Sequence, residues 1–226
     1  MRAPISVVIP TLNAEAGLSA CLASLVEGLE MGLIREVIVS DGGSTDATAT
    51  LSRAWGAEVV VGVASRGGQL RRGCAAAQGD WLLVLHADTQ LEQGWARPVR
   101  THLGAKGAGW FRLRFDSGGM LASLVAAWAN LRSRVFGLPY GDQGLLIARD
   151  TYTNVGGYPD QPLMEDVALA RALRGQLIQL DAVAVTSAEK YRRQGWLRRG
   201  ARNMWTLMRY FAGVSPETLA KSYRRS

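Results

Sequence analysis

Four short apolar runs precede residue 90: Ile5–Ile9, Glu36–Ser40, Glu58–Val61 and Trp81–Leu85. Each ends in turn chemistry, and the first, second and fourth are nearly continuous in apolar residues, as strands covered on both faces require. Between them the period becomes helical. Leu18, Cys21, Leu22, Leu25, Val26 and Leu29 recur at helical spacing, predicting one helix with Asn13 as its cap and Glu15 in its first turn. Thr45 or Asp46 opens a second helix reaching Trp55, and Gln69–Gln78 forms a third. This alternation predicts a parallel sheet with helices on both sides.

After residue 90 the rhythm loosens. Phe111, Leu113 and Phe115 alternate with Arg112 and Arg114, the pattern of a half-exposed strand over 110–115. A helix is expected over 119–136, a strand over 143–148, a helix over 165–174, one or two strands over 177–186, and a helical tail over 194–212. There is no internal repeat. One α/β domain with a more irregular second half accounts for the pattern.

Composition narrows the class. With 226 residues, 48% hydrophobic and 20% charged, the chain suits one globular domain and excludes a disordered or coiled-coil protein. Cys21 and Cys74 fall in alanine-rich helical segments and are expected to be reduced core thiols, too few for a disulfide framework or a thiolate metal cluster. Met1-Arg2 runs straight into Ile5–Ile9, too short for a signal h-region, so no signal segment is expected, and no apolar stretch is long enough to span a bilayer. A cytoplasmic protein is expected.

The net charge of +7 matters less than its placement, because residues 190–226 hold ten Lys/Arg and one acid, Glu217. A near-neutral body with a basic tail is not a nucleic-acid-binding footprint. In the tail, Leu197, Ala201, Met204, Trp205, Met208 and Phe211 share one helical face, and Arg198, Arg202 and Arg209 another, with Arg199 beside them. Packing of that apolar face onto the domain is favoured over insertion in a membrane. At most a weak, salt-sensitive contact of 196–211 with anionic lipid at the inner membrane surface is expected.

Ligands of an open parallel sheet bind beyond the carboxyl ends of its strands. Here those ends read Pro10-Thr11-Leu12-Asn13, Asp41-Gly42-Gly43-Ser44-Thr45-Asp46 and His86-Ala87-Asp88. Packing alone does not explain polar side chains at three successive exits, although Asp41 and Asp46 also suit Asx turns that lead into the next helix. The first turn lacks the glycines of a dinucleotide fold, and there is no P-loop.

Ile-Pro-Thr-Leu-Asn at 9–13, Val-Ser-Asp-Gly-Gly-Ser-Thr-Asp at 39–46 and the run from Ala77 to Thr89, in this order and spacing, resemble a family 2 glycosyltransferase with the GT-A fold. Tyr140-Gly141-Asp142-Gln143-Gly144 and Pro162-Leu163-Met164-Glu165-Asp166 extend the resemblance over most of the chain. Leu85–Thr89 with Gly141–Gly144 is most similar to a small bacterial subgroup that accompanies radical-SAM proteins and is linked to arsenosugar biosynthesis.

The resemblance implies a GT-A domain over 1–226: a nucleotide-binding half at 1–90, an acceptor half at 91–189, and the basic helical tail. It implies inverting transfer of one sugar from a nucleotide-sugar donor to a small-molecule or lipid acceptor. It places Thr11, Leu12, Glu15, Asp41 and Arg66 at the nucleotide, where an arginine and free helix-start amides suit an anion. The family's Asp-x-Asp becomes His86-Ala87-Asp88, so Asp88 keeps the position for Mn²⁺ or Mg²⁺ while His86 replaces a carboxylate and is a weaker candidate ligand. Asp166 is the expected general base with Glu165 beside it, since adjacent acids also suit a helix start. Asp142 and Gln143 are expected on the acceptor side. A non-catalytic nucleotide-sugar-binding protein and a sugar nucleotidyltransferase are the alternatives, the second lacking its glycine-rich arginine loop.

Overall fold

The computed structural model describes residues 2–224. Arg225 and Ser226, counted above in the basic tail, lie outside the described residues.

Strands β1 (Ile5–Thr11), β2 (Ile34–Asp41), β3 (Glu58–Val61) and β4 (Trp81–Val84) form where the apolar runs predict. Between them lie α1 (Glu15–Ala23), α2 (Val26–Glu30), α3 (Thr48–Ala54) and α4 (Arg66–Ala76). These four strands are mutually parallel, in the order β3-β2-β1-β4. Alternate residues of β1 enter opposite layers: Val7 packs with Leu18, Cys21 and Leu22 on one face, Val8 with Leu70 and Cys74 on the other. Both thiols are buried, free, and pushed up to about 12 by burial, so they stay protonated and inert.

The second half adds β5 (Thr89–Leu91), α5 (Ala96–His102), β6 (Ala108–Phe115), α6 (Met120–Phe136), β7 (Leu145–Ala148), α7 (Arg149–Asn154), α8 (Glu165–Ala172) and β8 (Leu177–Thr186). The sheet continues β4-β7-β6-β8-β5. Strand β7 runs antiparallel to β4 and β6, β6 pairs parallel with β8, and β5 antiparallel with β8. The result is a mostly parallel sheet covered by helices. The tail is three helices: α9 (Glu189–Gln194), α10 (Trp196–Phe211) and α11 (Pro216–Arg224).

Three local expectations are corrected. The helix expected through Leu18–Leu29 breaks after Ala23, because Trp95 Nε1 takes the Ser24 carbonyl at 2.9 Å and the Ser24 hydroxyl turns back to the Cys21 carbonyl at 2.6 Å. Asn13 is not the cap. It sits in the left-handed region (φ 50°), and its side-chain oxygen accepts from the Thr45 N–H at 2.9 Å, tying two strand exits together.

The third correction is the tail. Trp196 stacks on Tyr191 (4.9 Å) and meets Phe115 edge-on, and Leu207 joins Leu138, Val167 and Leu219 in a small core. The face expected to pack is turned outward, however, with Leu197, Ala201, Trp205, Met208 and Phe211 exposed. Inward-facing arginines find polar partners instead: Arg199 reaches Gln194 Oε1 (2.7 Å) and the Tyr223 hydroxyl, and Arg209 reaches Ser222. The inner side of α10 is mixed: Trp196 and Leu207 fill apolar contacts while Arg199 and Arg209 find polar partners, and this leaves the continuous apolar stripe outside.

Candidate active site

The carboxyl ends of β1, β2 and β4 emerge side by side, the first two joined from beneath by Gln69, whose Nε2 donates to the Thr11 carbonyl (2.6 Å) and the Ser40 carbonyl (3.1 Å). Strand β8 ends beside β5, which delivers Thr186, Ser187 and α9 to the exit of β4. Two chambers open along this edge. The larger, about 510 Å³, is lined by Thr11, Leu12, Gln69 and Glu165 among others. The smaller, about 150 Å³, is lined by Tyr140, Asp142, Asp166, Tyr191, Arg199 and Tyr223 among others. Arg66, His86, Asp88 and Lys190 line both and form their junction.

At the junction, Arg66 Nε bonds Glu165 Oε1 at 3.0 Å, and its Nη2 lies 3.5 Å from His86 Nε2. Burial, then the Arg66 charge, push the His86 imidazole down to about 4, so it is neutral at physiological pH. Gly141 stands against this ring: a Cβ there would collide with His86 Nε2, so only glycine fits. The Asp88 carboxylate pairs with Lys190 Nζ at 3.2 Å. Burial opposes its charge, but the Lys190 charge and hydrogen bond outweigh it and hold the carboxyl below its ordinary range.

Glu165 and Asp166 begin α8, following Met164 in the left-handed region (φ 65°). That strained turn sends the two acids to different places. Glu165 is buried against Arg66 with Oε2 unpartnered among the described residues, and burial pushes its carboxyl up against the pull of Arg66. Asp166 lines the smaller chamber and accepts from the Gly141 N–H at 2.9 Å and its neighbour's N–H at Val167. On the same chamber, Asp142 has a buried Oδ1 unpartnered among the described residues, and burial pushes its carboxyl up to about 6.

The predicted residues therefore divide. Thr11, Leu12, Arg66, His86, Asp88, Asp142, Glu165 and Asp166 meet around the chambers. Three do not. Gln143 is fully buried behind the loop, its Oε1 accepting from Ser133 (2.6 Å), Arg132 (3.1 Å) and the Tyr140 N–H, so it locks the turn onto α6. Glu15 bonds the Ala47 N–H at 2.9 Å and lines neither chamber.

Asp41 is also buried. Its carboxylate accepts from Thr11, Gly43 and both donors of Ser44, making the Asx turn at the β2 exit. Burial raises its pKa and these hydrogen bonds more than reverse the effect. The α4 amides are likewise engaged: Gly67 N–H donates to the Gln161 carbonyl and Gly68 N–H to Ser65. Arg66 alone presents its charge there.

Sequence reasoning missed Lys190, Tyr191, Arg199 and Tyr223. Their only early signal was the excess of positive charge after residue 189.

Comparison with known proteins places this arrangement. Residues 6–120 match the family described as glycosyl transferase family 2, covering β1 through β6 and the strand exits that carry the junction. The chain belongs to glycosyl transferase family 2. Among curated relatives, the PGL/p-HBAD biosynthesis glycosyltransferases of Mycobacterium bovis and Mycobacterium tuberculosis are 36% identical over 99 residues, which is 40% of this chain. The match spans only 38% of the length of those relatives. Among solved structures, glucosyl-3-phosphoglycerate synthase from Mycobacterium tuberculosis with Mn²⁺ and UDP-glucose is 26% identical, with TM-score 0.57, covering 81% of this chain and 69% of that one. Its complex with Mn²⁺, UDP and glucosyl-3-phosphoglycerate is 25% identical with TM-score 0.54, covering 81% of this chain and 70% of that one. The GT-A fold expected from the motifs is thus the observed one.

Proposed function

We propose that this chain moves one sugar from a nucleoside-diphosphate donor to an acceptor hydroxyl, with inversion at the anomeric carbon. The observation that carries the reading is the two-chamber edge, with Asp166 on the small side and cations at the junction. The nucleotide lies in the larger chamber over Thr11 and Leu12, its diphosphate beside Arg66 and Lys190. The acceptor enters the smaller chamber beneath Asp166. Asp166 takes the hydroxyl proton as the acceptor oxygen attacks the anomeric carbon, and the bond to the diphosphate breaks. Arg66 and Lys190 meet the charge left on the diphosphate, and Glu165 orients Arg66.

The relative's Mn²⁺ and UDP-glucose extend this reading to a divalent cation and make UDP-glucose the first donor to test. Asp88, held ionised, and His86, held neutral, offer an oxygen and an imidazole nitrogen that fit such an ion. Among the described residues no third His, Cys, Asp or Glu joins them, so diphosphate and water would have to complete the set. A bound ion would neutralise the leaving diphosphate.

Residues 1–90 then serve the nucleotide and 91–189 the acceptor, with α9–α11 completing the acceptor wall. The narrower assignment to the arsenosugar-associated subgroup rests on Leu85–Thr89 and Gly141–Gly144 alone. The buried free thiols suit a cytoplasmic setting.

A second base is favoured by one observation: Asp142 has a free oxygen and a pKa of about 6, near the operating range of a base. The test is NMR of donor consumption and product anomer over a nucleotide-sugar panel. Asp166→Asn is expected to lower turnover about 10²–10⁴-fold with donor affinity nearly unchanged. Turnover within about threefold of wild type, set against that expected loss, assigns the proton to Asp142. Product with the donor's own anomeric configuration overturns inversion. A protein that binds donors and consumes none is a binding protein only.

A further inference from the structure

Helix α6 buries Ala122, Ala126 and Ala129 beside β6 and turns Met120, Leu124, Trp128, Leu131 and Val135 to solvent, one stripe at helical spacing. Helix α10 packs against α6 and carries a second outward stripe of Leu197, Trp205, Met208 and Phe211. Met120 is 77% exposed and Leu197 74%, values typical of charged surface residues rather than of large apolar ones. Two adjacent helices whose apolar stripes stay largely open to solvent among the described residues call for an occupant.

Charge decides which one. Neither helix contains an Asp or Glu, and together they hold six arginines. Arg134 and Arg198 are exposed at the flanks of the stripes. A two-fold contact with a second copy would set arginine against arginine with no carboxylate opposite, which disfavours association. A surface of anionic phospholipid complements the same features: phosphates meet the flanking arginines, and Trp128 and Trp205 sit at the headgroup level that tryptophan prefers.

We propose that α6 and α10 dock this protein on an anionic bilayer, with the apolar stripes inserted among the headgroups. The inner face of α10 supplies Arg199, Asn203 and Thr206 to the smaller chamber. Docking therefore sets that chamber about one helix diameter, roughly 10 Å, from the lipid. The proposal goes beyond the transferase reading and does not depend on it.

The experiment is co-sedimentation of the full chain with vesicles of phosphatidylglycerol and phosphatidylethanolamine, and with phosphatidylcholine vesicles, at low and high salt. Binding to the anionic vesicles is expected and is largely retained at high salt, because insertion is not screened. Binding to phosphatidylcholine should be much weaker. The combined substitution Leu197→Ser, Trp205→Ser and Met208→Ser changes exposed residues only. It is expected to cut partitioning roughly tenfold or more while leaving the melting temperature in place, and Arg198→Glu should weaken the anionic preference. Absence of binding, or binding abolished by salt and unchanged in the triple variant, overturns the proposal. So does a dimer in vesicle-free solution that the triple variant dissolves. None of these results bears on turnover, so failure here leaves the transferase reading standing.

Discussion

Asp142 should cost the folded protein stability that Asp142→Asn recovers. Burial raises its carboxyl from an ordinary 3.8 to about 6. A group raised in the folded state contributes stability below its unfolded pKa and loses it as pH climbs through the folded value. Between those values the unfolded chain holds the ionised form more readily, and the folded state is penalised progressively. The gap of roughly two pH units corresponds to about 3 kcal/mol once pH exceeds 7, and to about 0.5 kcal/mol at pH 4.

The asparagine keeps the shape and drops the charge, though its amide must settle beside an oxygen site that has no partner. A net gain of about 1–3 kcal/mol at pH 8 follows, or roughly 2–12 °C in melting temperature for a domain of this size. The gain should shrink to nearly nothing at pH 4. Differential scanning calorimetry of both proteins across that range reads it directly. A variant that melts at or below wild type at pH 8, or a gain independent of pH, refutes a buried, proton-hungry carboxylate at this position.

Lys190→Met frees the Asp88 carboxylate from an exposed ion pair, so Mn²⁺ affinity measured without nucleotide should rise up to about fivefold by calorimetry. An unchanged or lower affinity would mean that Lys190 does not compete with the cation for Asp88. Asp88→Asn should weaken donor binding in saturating Mn²⁺ or Mg²⁺, and equal affinities would remove Asp88 from the cation. Gln143→Leu deletes the acceptor of three hydrogen bonds around buried Arg132, and should cost about 3 kcal/mol, seen as a melting point lowered by roughly 6–12 °C. An unchanged melting point with a raised acceptor KM would return Gln143 to the acceptor site.

Local pattern was enough to determine every strand but the three-residue β5, most helix positions, the layer architecture and the family, because apolar periodicity and turn residues act over a few positions. Thr11 and Asp88 follow from strand exits in a parallel sheet, while Arg66, Asp142 and Glu165–Asp166 were placed by the resemblance to the family. What stayed hidden depends on partners far apart in the chain. Arg66 meets Glu165 across 99 positions and Asp88 meets Lys190 across 102, and neither pairing leaves a trace in spacing. Glu15, Asp41 and Gln143 looked like ligand-facing polar residues, yet Glu15 bonds a neighbouring loop, Asp41 its own turn and Gln143 helix α6. The tail shows the limit most plainly. Its helical wheel separates arginines from apolar residues without ambiguity, but a wheel does not say which side faces in. Trp196 and Leu207 pack inward and Gln194, Tyr223 and Ser222 receive Arg199 and Arg209, so tertiary contact alone left the continuous apolar stripe outward.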